Sequence, residues 1–301
     1  MANSYTSINK AKTELSTGYD FFLLLKPRVM SLAIFTALVG QILAYQSQKQ
    51  HIVLFMISLF SIALGAGAAG CINMWYEKDI DSLMQRTKSR PLPRGIIKSD
   101  DALCMGIVLS IISVVLLSLS ANYLAGFLLA SSILFYVFVY TVWLKRKTVY
   151  NIVIGGAAGA LPPLIGWVSV SNEISLFPIL LFSIIFIWTP PHFWALSLYT
   201  NEDYKKANIP MLPVVLGKEK TITSIIKYSY FLFFVSLTPY IFNLAGKIYL
   251  FSATLLSIIF IYLSHSLKRY DVKKAKNLFK FSIFYLFILY LSTIVDSLVY
   301  L

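Results

Sequence analysis

The feature that most constrains this chain is a series of nine long apolar runs separated by charged or turn-rich breaks. A membrane-spanning helix needs about 20 consecutive apolar residues, and each run is close to that length. The runs cover residues 28–46, 53–75, 102–120, 122–144, 149–170, 175–199, 221–243, 246–267 and 278–300. Because 58% of the residues are hydrophobic and only 13% are charged, one water-soluble core cannot bury the apolar surface. The sequence therefore predicts an all-α, polytopic membrane protein, a bundle of about nine transmembrane helices.

The connections between the runs are too short to divide the chain into separate domains. We expect a polar N-terminal tail over residues 1–25 and a single transmembrane domain over residues 26–301. The fifth run differs from the others because it contains four glycines and two prolines, namely Gly155, Gly156, Gly159, Gly166, Pro162 and Pro163. These residues weaken a helix and let neighbouring backbones approach closely. The pattern predicts a packed, kinked central helix.

Lys and Arg are distributed unequally between the two ends of such a bundle. Of the 26, 23 lie in the N-terminal tail, in every second connection or at the adjoining run ends (Arg28 and Lys280), two lie in or beside the other connections, and Lys227 lies well inside a run. The positive-inside rule then places the N-terminus and the longest polar loops, 76–101 and 200–220, in the cytoplasm. We expect a multi-pass membrane protein whose longest polar loops, where side chains that carry chemistry have room, face the cytoplasm.

The formal net charge of +13 would suggest a nucleic-acid partner for a soluble protein. In a membrane protein such a charge more often reports orientation and contact with the lipid bilayer or with phosphate groups, so we expect no nucleic-acid partner. Cys71 and Cys104 both lie in apolar stretches without a CxxC motif, which excludes a disulfide scaffold, a thiolate zinc site and covalent c-type haem. Residues 1–20 lack the apolar core of a cleaved signal peptide.

The first candidate site lies where the second run ends. Asn73, Glu77 and Asp81 are spaced four residues apart, so on a continuing helix they share one face. Two carboxylates at this spacing repel each other, and a divalent cation would remove the repulsion. Oxygen ligands of this kind suit Mg²⁺, which commonly uses one or two carboxylates together with substrate phosphate oxygens. Asp79 is expected to point away from this face.

Four basic residues follow the acidic motif, namely Arg86, Lys88, Arg90 and Arg94. Alone they would suit a topology signal or a lipid-headgroup patch. Beside a metal site they favour a diphosphate clamp, because Arg makes planar, charge-assisted contacts to phosphate oxygens. Lys145 and Arg146 close a run on the same side and are secondary candidates, since a plain topology signal explains them almost as well.

The second candidate site surrounds a histidine in the sixth run. His192, Tyr199 and Asp203 recur at i, i+7 and i+11, so one helical face joins an intramembrane imidazole to a carboxylate at the membrane edge. Pro190 and Pro191 are expected at the start of the helical segment, where proline is tolerated. A histidine among aromatic residues is usually a hydrogen-bonded core residue. A ligand role, for example to haem iron, is the alternative.

Together these residues resemble the UbiA superfamily of intramembrane prenyltransferases, and within it the branch that farnesylates haem. The resemblance extends from about Pro27 to the last run. Four stretches carry it: Lys26-Pro27-Arg28, residues 73–95, residues 140–166 and residues 188–217. Within the last stretch, the Pro-Pro-His-Phe-Trp run at 190–194 and Pro210-Met-Leu-Pro213 are similar to the haem branch rather than to the quinone-forming relatives.

The resemblance implies that a farnesyl group is transferred from farnesyl diphosphate to a vinyl group of haem b, with addition of water, giving haem O and diphosphate. It implies Mg²⁺ as the cofactor, haem b as a substrate, and haem A synthase or terminal-oxidase assembly factors as candidate partners. The implied catalytic residues and Mg²⁺ ligands are Asn73, Glu77, Asp81 and Asp203. The implied substrate-binding residues are Arg86, Lys88, Arg90, Arg94, Lys145, Arg146, Tyr199, Glu202 and, for haem, His192.

Two departures from the family pattern affect the metal site. Glu77 stands where an aspartate is common, and the second acidic cluster is compressed to Glu202-Asp203, so the number of metal ions stays open.

Three other functions also stay open at this point. A UbiA-type enzyme that prenylates an aromatic quinone precursor shares the acidic motif. A secondary transporter also contains intramembrane charges and broken helices, although it needs polar access from both faces. A structural subunit of an oxidase complex would not need the oxygen-ligand face.

Overall fold

The computed structural model describes residues 16–46 and 48–300 of the chain. Over these residues every regular element of secondary structure is a helix. The helices are α1 (Gly18–Leu24), α2 (Pro27–Tyr45), α3 (Ile52–Tyr76), α4 (Lys78–Leu83), α5 (Ser99–Ser120), α6 (Tyr123–Leu134, continued as a π-helix over Phe135–Leu144), α7 (Asn151–Ala160), α8 (Pro162–Ser171), α9 (Leu176–Tyr199), α10 (Asn201–Lys206), α11 (Leu212–Val215), α12 (Gly217–Ile241), α13 (Lys247–Ser266) and α14 (Val272–Tyr300).

Nine segments within the described residues are long and apolar enough to cross a membrane. They coincide with the nine predicted runs, so the all-α polytopic prediction is confirmed. Three helices begin three or more residues before the apolar runs, at Ser99, Gly217 and Val272, because their first turns are polar and extend beyond the apolar stretch. The end of the bundle at which α2 and α5 begin carries the Lys- and Arg-rich connections, and we call it the basic end.

A short helix, α1, occupies part of the expected N-terminal tail, of which residues 1–15 lie outside the described range. Thr17 and Asp20 form a reciprocal capping box at its first turn. Leu24 is fully buried, in a cluster that also contains Cys71 and Met74 of α3. The sequence analysis missed this helix because two turns are too short for a clear apolar period.

The fifth run forms a broken helix, as the glycines and prolines predicted. α7 ends at Ala160 and α8 begins at Pro162, and this segment is the most buried of the nine. α8 packs closely on α2: a Cβ added to Gly166 would lie 2.1 Å from the carbonyl oxygen of Ala37, and one added to Gly40 would lie 2.1 Å from that of Pro163. The two backbones are therefore in direct contact.

The variant Gly166→Ala is expected to destabilise the protein, because the new methyl group forces α2 and α8 apart. Overpacking of this kind costs about 1–3 kcal/mol or more. The midpoint of thermal unfolding in detergent measures the effect. Gly159→Ala is the matched control, since no atom lies within 4 Å of its added Cβ and Ala favours a helix over Gly by about 1 kcal/mol. Equal midpoints for the two variants would contradict the close contact.

The basic end is held together by a small apolar cluster that joins distant parts of the sequence. Ile80 and Met84 of α4 pack with Tyr204 of α10 and with Ile209 and Met211, which follow it. The segment after the first motif therefore lies against the segment after the second motif. This packing brings the two candidate sites to one end of the bundle.

Candidate active site

The acidic motif occupies a helical bend at the basic end. The amide of Glu77 donates to the carbonyl oxygen of Asn73 at 3.0 Å, and the amide of Asp81 donates to that of Glu77 at 2.8 Å. Helical hydrogen bonding thus continues from α3 into α4, and the three side chains share one face as the spacing predicts. Asn73, Glu77 and Asp81 are only 2%, 2% and 3% exposed. Two carboxylates buried this deeply need charged partners.

Two basic side chains pair with these carboxylates. Lys145 Nζ lies 2.5 Å from Glu77 Oε2, and Arg90 Nη1 lies 2.6 Å from Asp81 Oδ2. Burial acts against the charge of Lys145, but the Glu77 carboxylate beside it outweighs burial and raises the pKa of Lys145 above its ordinary value. Both cations are therefore present in the face that the sequence analysis assigned to a metal and a diphosphate.

A third cation, Lys26, was not among the predicted site residues. Its ammonium donates a hydrogen bond to Asn73 Oδ1. Part of the side chain reaches the surface, yet burial of the ammonium and the nearby charge of Arg90 lower the pKa of Lys26 to about 7. Lys26 adopts φ 52°, a left-handed conformation that costs about 1–2 kcal/mol. Strain of this kind often marks functional positions.

The only sequence signal for Lys26 is its place before Pro27 at the start of the first span. That position is equally typical of a topology signal. The residue lies 47 positions from its partner Asn73, so helical spacing could not connect them.

The π-helical part of α6 orients the amide of Asn73. Thr141 Oγ1 donates to the carbonyl oxygen of Tyr136 at 2.9 Å and accepts from Asn73 Nδ2 at 2.9 Å. This second bond turns Asn73 Oδ1 toward Lys26. The wider turn of a π-helix commonly occurs at functional sites. Tyr136 and Tyr140 lie on the same segment, within electrostatic range of Glu77.

The oxygen donors of this face fit a hard divalent cation. Glu77 Oε1 is fully buried and lacks a hydrogen-bond partner among the described residues, so a ligand would satisfy it. In the described part of the chain no three His, Cys, Asp or Glu side chains gather into one metal-holding group. Asp203 is therefore not brought into one group with Glu77 and Asp81. Two carboxylates and one amide still match the usual protein contribution to Mg²⁺.

The other predicted basic residues of the first loop are exposed and have different neighbours. Arg86 is exposed and lies within electrostatic range of Tyr140 and Tyr199. Lys88 is exposed, and Arg94 lies within electrostatic range of Asp20 in α1.

Arg146 pairs away from the oxygen-ligand face. Its guanidinium binds both carboxylate oxygens of Asp79 at 2.9 and 3.0 Å, and the side chain of Asp79 is 59% exposed. The expectation that Asp79 points away from the motif face is thus met. Because Arg146 pairs with Asp79, it is not among the cations on the motif face.

The prediction for Pro190 and Pro191 was wrong: both lie inside α9, fourteen or more residues after its first residue Leu176. The apolar run before them continues the helix without a break, which outweighs the loss of two backbone donors. Farther along, Glu202 is exposed and Asp203 is half-buried, and both lie in the first turn of α10.

The imidazole of His192 is buried between aromatic rings. Trp188 stacks on it at 4.3 Å between ring centroids, Phe279 of α14 at 4.7 Å, and Phe193 meets it edge-on at 5.1 Å. Its Nδ1 lies 2.6 Å from Ser282 Oγ. His192 is therefore buried and hydrogen-bonded, and it keeps 8% exposure. These contacts are compatible with a core histidine and with a ligand.

Tyr199 lies between the two candidate sites. Its ring meets that of Phe279 at 6.0 Å, and Phe279 in turn stacks on His192. The guanidinium of Arg86 is also within electrostatic range of Tyr199. An aromatic path thus leads from the buried imidazole toward the cationic end of the site.

Comparison with known proteins finds matches along nearly the whole chain. Residues 33–289 match the UbiA prenyltransferase family. The "Protoheme IX farnesyltransferase" of Rickettsia rickettsii strain Iowa is 50% identical over 287 residues, which is 95% of this chain and 93% of that protein. The protein of the same name from Rickettsia bellii is 49% identical over 287 residues, 95% of each chain.

Two solved structures share the fold. A digeranylgeranylglyceryl phosphate synthase superposes with a TM-score of 0.76 at 22% identity, covering 93% of this chain and 98% of its own. A UbiA homologue from Archaeoglobus fulgidus, bound to DMAPP and Mg²⁺, superposes with a TM-score of 0.62 at 18% identity, covering 90% and 98%. Both likenesses support the fold described above.

Proposed function

Because the chain belongs to the UbiA prenyltransferase family, we propose that it transfers a farnesyl group from farnesyl diphosphate to a vinyl group of haem b. Water is added in the same reaction, and haem O and diphosphate are released. The observation that carries this proposal is the 50% identity, over 95% of the chain, to a relative named protoheme IX farnesyltransferase. Family membership favours a prenyltransferase over the secondary transporter and the structural subunit.

We assign the diphosphate group to the cationic face at the basic end. Lys26, Arg90 and Lys145 come from three separate segments, and each contacts a residue of the motif Asn73, Glu77, Asp81. Ammonium and guanidinium groups bind phosphate oxygens through charge-assisted hydrogen bonds. Arg86, which lies near Tyr199, is a further phosphate contact in this assignment, and the exposed Lys88 and Arg94 are peripheral ones.

We assign Mg²⁺ to Asn73, Glu77 and Asp81, whose unsatisfied and charged oxygens fit it. A UbiA homologue from Archaeoglobus fulgidus binds Mg²⁺ together with DMAPP. When bound, the ion neutralises negative charge on diphosphate oxygens. Asp203 is not part of this group; with Glu202 beside it, Asp203 is a candidate ligand for a second ion, supported by the packing of Tyr204 with Ile80 and Met84.

The reaction breaks the bond between farnesyl C1 and the diphosphate oxygen, and the electron pair leaves with the diphosphate. C1 becomes bonded to the terminal vinyl carbon of haem, and water then bonds to the inner vinyl carbon and loses a proton. Negative charge grows on the leaving oxygen during ionisation. Lys26, Arg90 and Lys145 therefore stabilise the transition state more than the ground state.

We assign the haem to the aromatic region around His192 and Tyr199. Apolar rings exclude bulk water, which protects an allylic cation from premature capture. The apolar substrates can reach this region from the bilayer. The asymmetry of Lys and Arg supports a cytoplasmic basic end, and the bacterial source of the relatives supports the bacterial inner membrane.

The direct test incubates the purified chain with haem b, farnesyl diphosphate and Mg²⁺, followed by mass spectrometry of the porphyrin. We expect one product heavier than haem b by a farnesyl group plus a hydroxyl group, together with released diphosphate, and no product after chelation of divalent cations. An unchanged porphyrin, with prenylation of 4-hydroxybenzoate under the same conditions, would instead assign the chain to quinone synthesis.

A further inference from the structure

Ser282 is a buried residue of α14 that contacts the candidate haem histidine from across a helix interface. It is 0% exposed, and its Oγ lies 2.6 Å from His192 Nδ1. The sequence analysis did not single it out, because it is 90 positions from His192. The same hydroxyl also donates a hydrogen bond to the carbonyl oxygen of Phe279, one turn earlier, at 2.6 Å.

These two contacts determine which nitrogen of His192 carries the proton. A serine hydroxyl has one hydrogen, and the Phe279 carbonyl can only accept, so Ser282 uses its hydrogen there. The contact to His192 must then be donated by an Nδ1–H group. If Nδ1 were unprotonated, two lone pairs would face each other at 2.6 Å without a hydrogen between them. The neutral imidazole is thus held as the Nδ1–H tautomer, with its lone pair on Nε2.

The Nε2 atom is left open to a ligand. It makes no hydrogen bond with any residue in the described ranges, and His192 retains 8% exposure. The stacked rings of Trp188 and Phe279 cover the two faces of the imidazole, but a nitrogen lone pair lies in the ring plane and stays uncovered.

Ser282 is itself held rigidly. Trp188 Nε1 donates to the backbone carbonyl oxygen of Ser282 at 2.8 Å, so the residue that stacks on His192 also fixes the backbone of its partner. One turn of α9, with Trp188 and His192, is thereby joined to one turn of α14, with Phe279 and Ser282. This arrangement restrains both the position and the rotation of the ring.

We propose that Ser282 is a positioning residue that holds His192 as the Nδ1–H tautomer and presents Nε2 to the iron of haem b. The proposal rests on the proposed function and deepens it by assigning the group that sets the ligand nitrogen. Histidine ligands of metals commonly donate their other N–H to a fixed acceptor, and loss of such an acceptor typically weakens binding by about 10–100-fold. Ser282 meets this description with a hydroxyl oxygen.

The tautomer can be measured without haem or turnover. The full chain contains three histidines, so ¹⁵N-histidine labelling with His51→Gln and His265→Gln isolates the signal of His192. We expect the ¹⁵N shifts of an Nδ1–H, Nε2-unprotonated ring in this background, and a shift toward the Nε2–H form after Ser282→Ala. A background spectrum of the Nε2–H tautomer would overturn the proposal.

The functional arm titrates haem b into Ser282→Ala, Ser282→Thr and the control Ser292→Ala. Ser292 is a buried serine of the same helix whose hydroxyl donates to Leu289 one turn earlier. Ser282→Ala should raise the Kd for haem by about tenfold, shift the Soret band and raise the KM for haem, with an unchanged unfolding midpoint. Ser282→Thr should restore binding, and Ser292→Ala should match the wild type.

The outcomes separate this proposal from the proposed function. If the wild type forms haem O but Ser282→Ala keeps the wild-type haem affinity and Soret band, the positioning role is wrong and the function stands. If the wild type forms no haem O, the function itself is wrong, while the labelling experiment still decides the tautomer.

Discussion

Replacement of Asp81 by Asn is expected to lower kcat for haem O formation by about 10²–10³-fold, the usual effect of losing one electrostatic contact to a transition state. Asp81 is 3% exposed and accepts a hydrogen bond from Arg90 at 2.6 Å. Asn keeps the size of the side chain and can still accept from Arg90, so the protein should remain folded. The change removes one negative charge from the proposed Mg²⁺ site. Initial rates with purified protein measure the effect.

Asp79→Asn is the matched control for this experiment. It makes the same chemical change two positions away, but Asp79 is exposed and pairs with Arg146 outside the motif face. Its activity should stay near that of the wild type. If both variants lost activity equally, activity would depend on the total negative charge of α4 and not on Asp81 in particular. Full activity of a folded Asp81→Asn protein would remove Asp81 from the proposed site.

The second large effect is expected from replacing His192 by Phe, which fills the space between Trp188 and Phe279 but has no ring nitrogen. If His192 binds the haem iron, the Kd for haem b should rise by at least about 100-fold, more than is typical for removing an outer partner of a ligand. Titration followed at the Soret band measures this change. Phe preserves ring stacking at 4–5 Å, so the fold should be retained.

His265→Phe controls for loss of a histidine elsewhere in the chain. His265 lies at the end of α13, where its Nε2 contacts the hydroxyl of Tyr230 at 3.1 Å in an exposed position. This variant should bind haem like the wild type. Equal affinity of the His192→Phe protein would place the haem elsewhere in the bundle.

The parts of the structure that follow local periodicity could be predicted from the sequence. The nine spans follow from apolar length, and the shared face of Asn73, Glu77 and Asp81 follows from spacing along one helix. The kink near Pro162 follows from backbone chemistry. Each of these depends on residues less than about thirty positions apart, for which helical geometry states which side chains are neighbours.

The partners of these residues could not be predicted in the same way. Lys26 meets Asn73 across 47 positions, Lys145 meets Glu77 across 68, and Ser282 meets His192 across 90. Helical period indicates which face a residue occupies but not which helix packs against it. The basic residues were also ambiguous, because orientation in a membrane and phosphate binding select the same side chains. A serine is not distinctive enough for the sequence alone to identify Ser282 as a candidate site residue.

The ion pairs at the motif have a consequence for the order in which ligands enter. Glu77 and Asp81 are already neutralised by Lys145 and Arg90, so a lone divalent ion meets little net attraction, and Lys26 adds repulsion when protonated. A lone pyrophosphate group would find its cations occupied by carboxylates. When Mg²⁺ and diphosphate bind together, Mg²⁺ can take the carboxylates of the existing ion pairs, and the diphosphate can take their cations. If Mg²⁺ and diphosphate bind at the proposed site, their affinities are therefore expected to be reciprocally coupled, and a prenyl diphosphate without Mg²⁺ should bind only weakly.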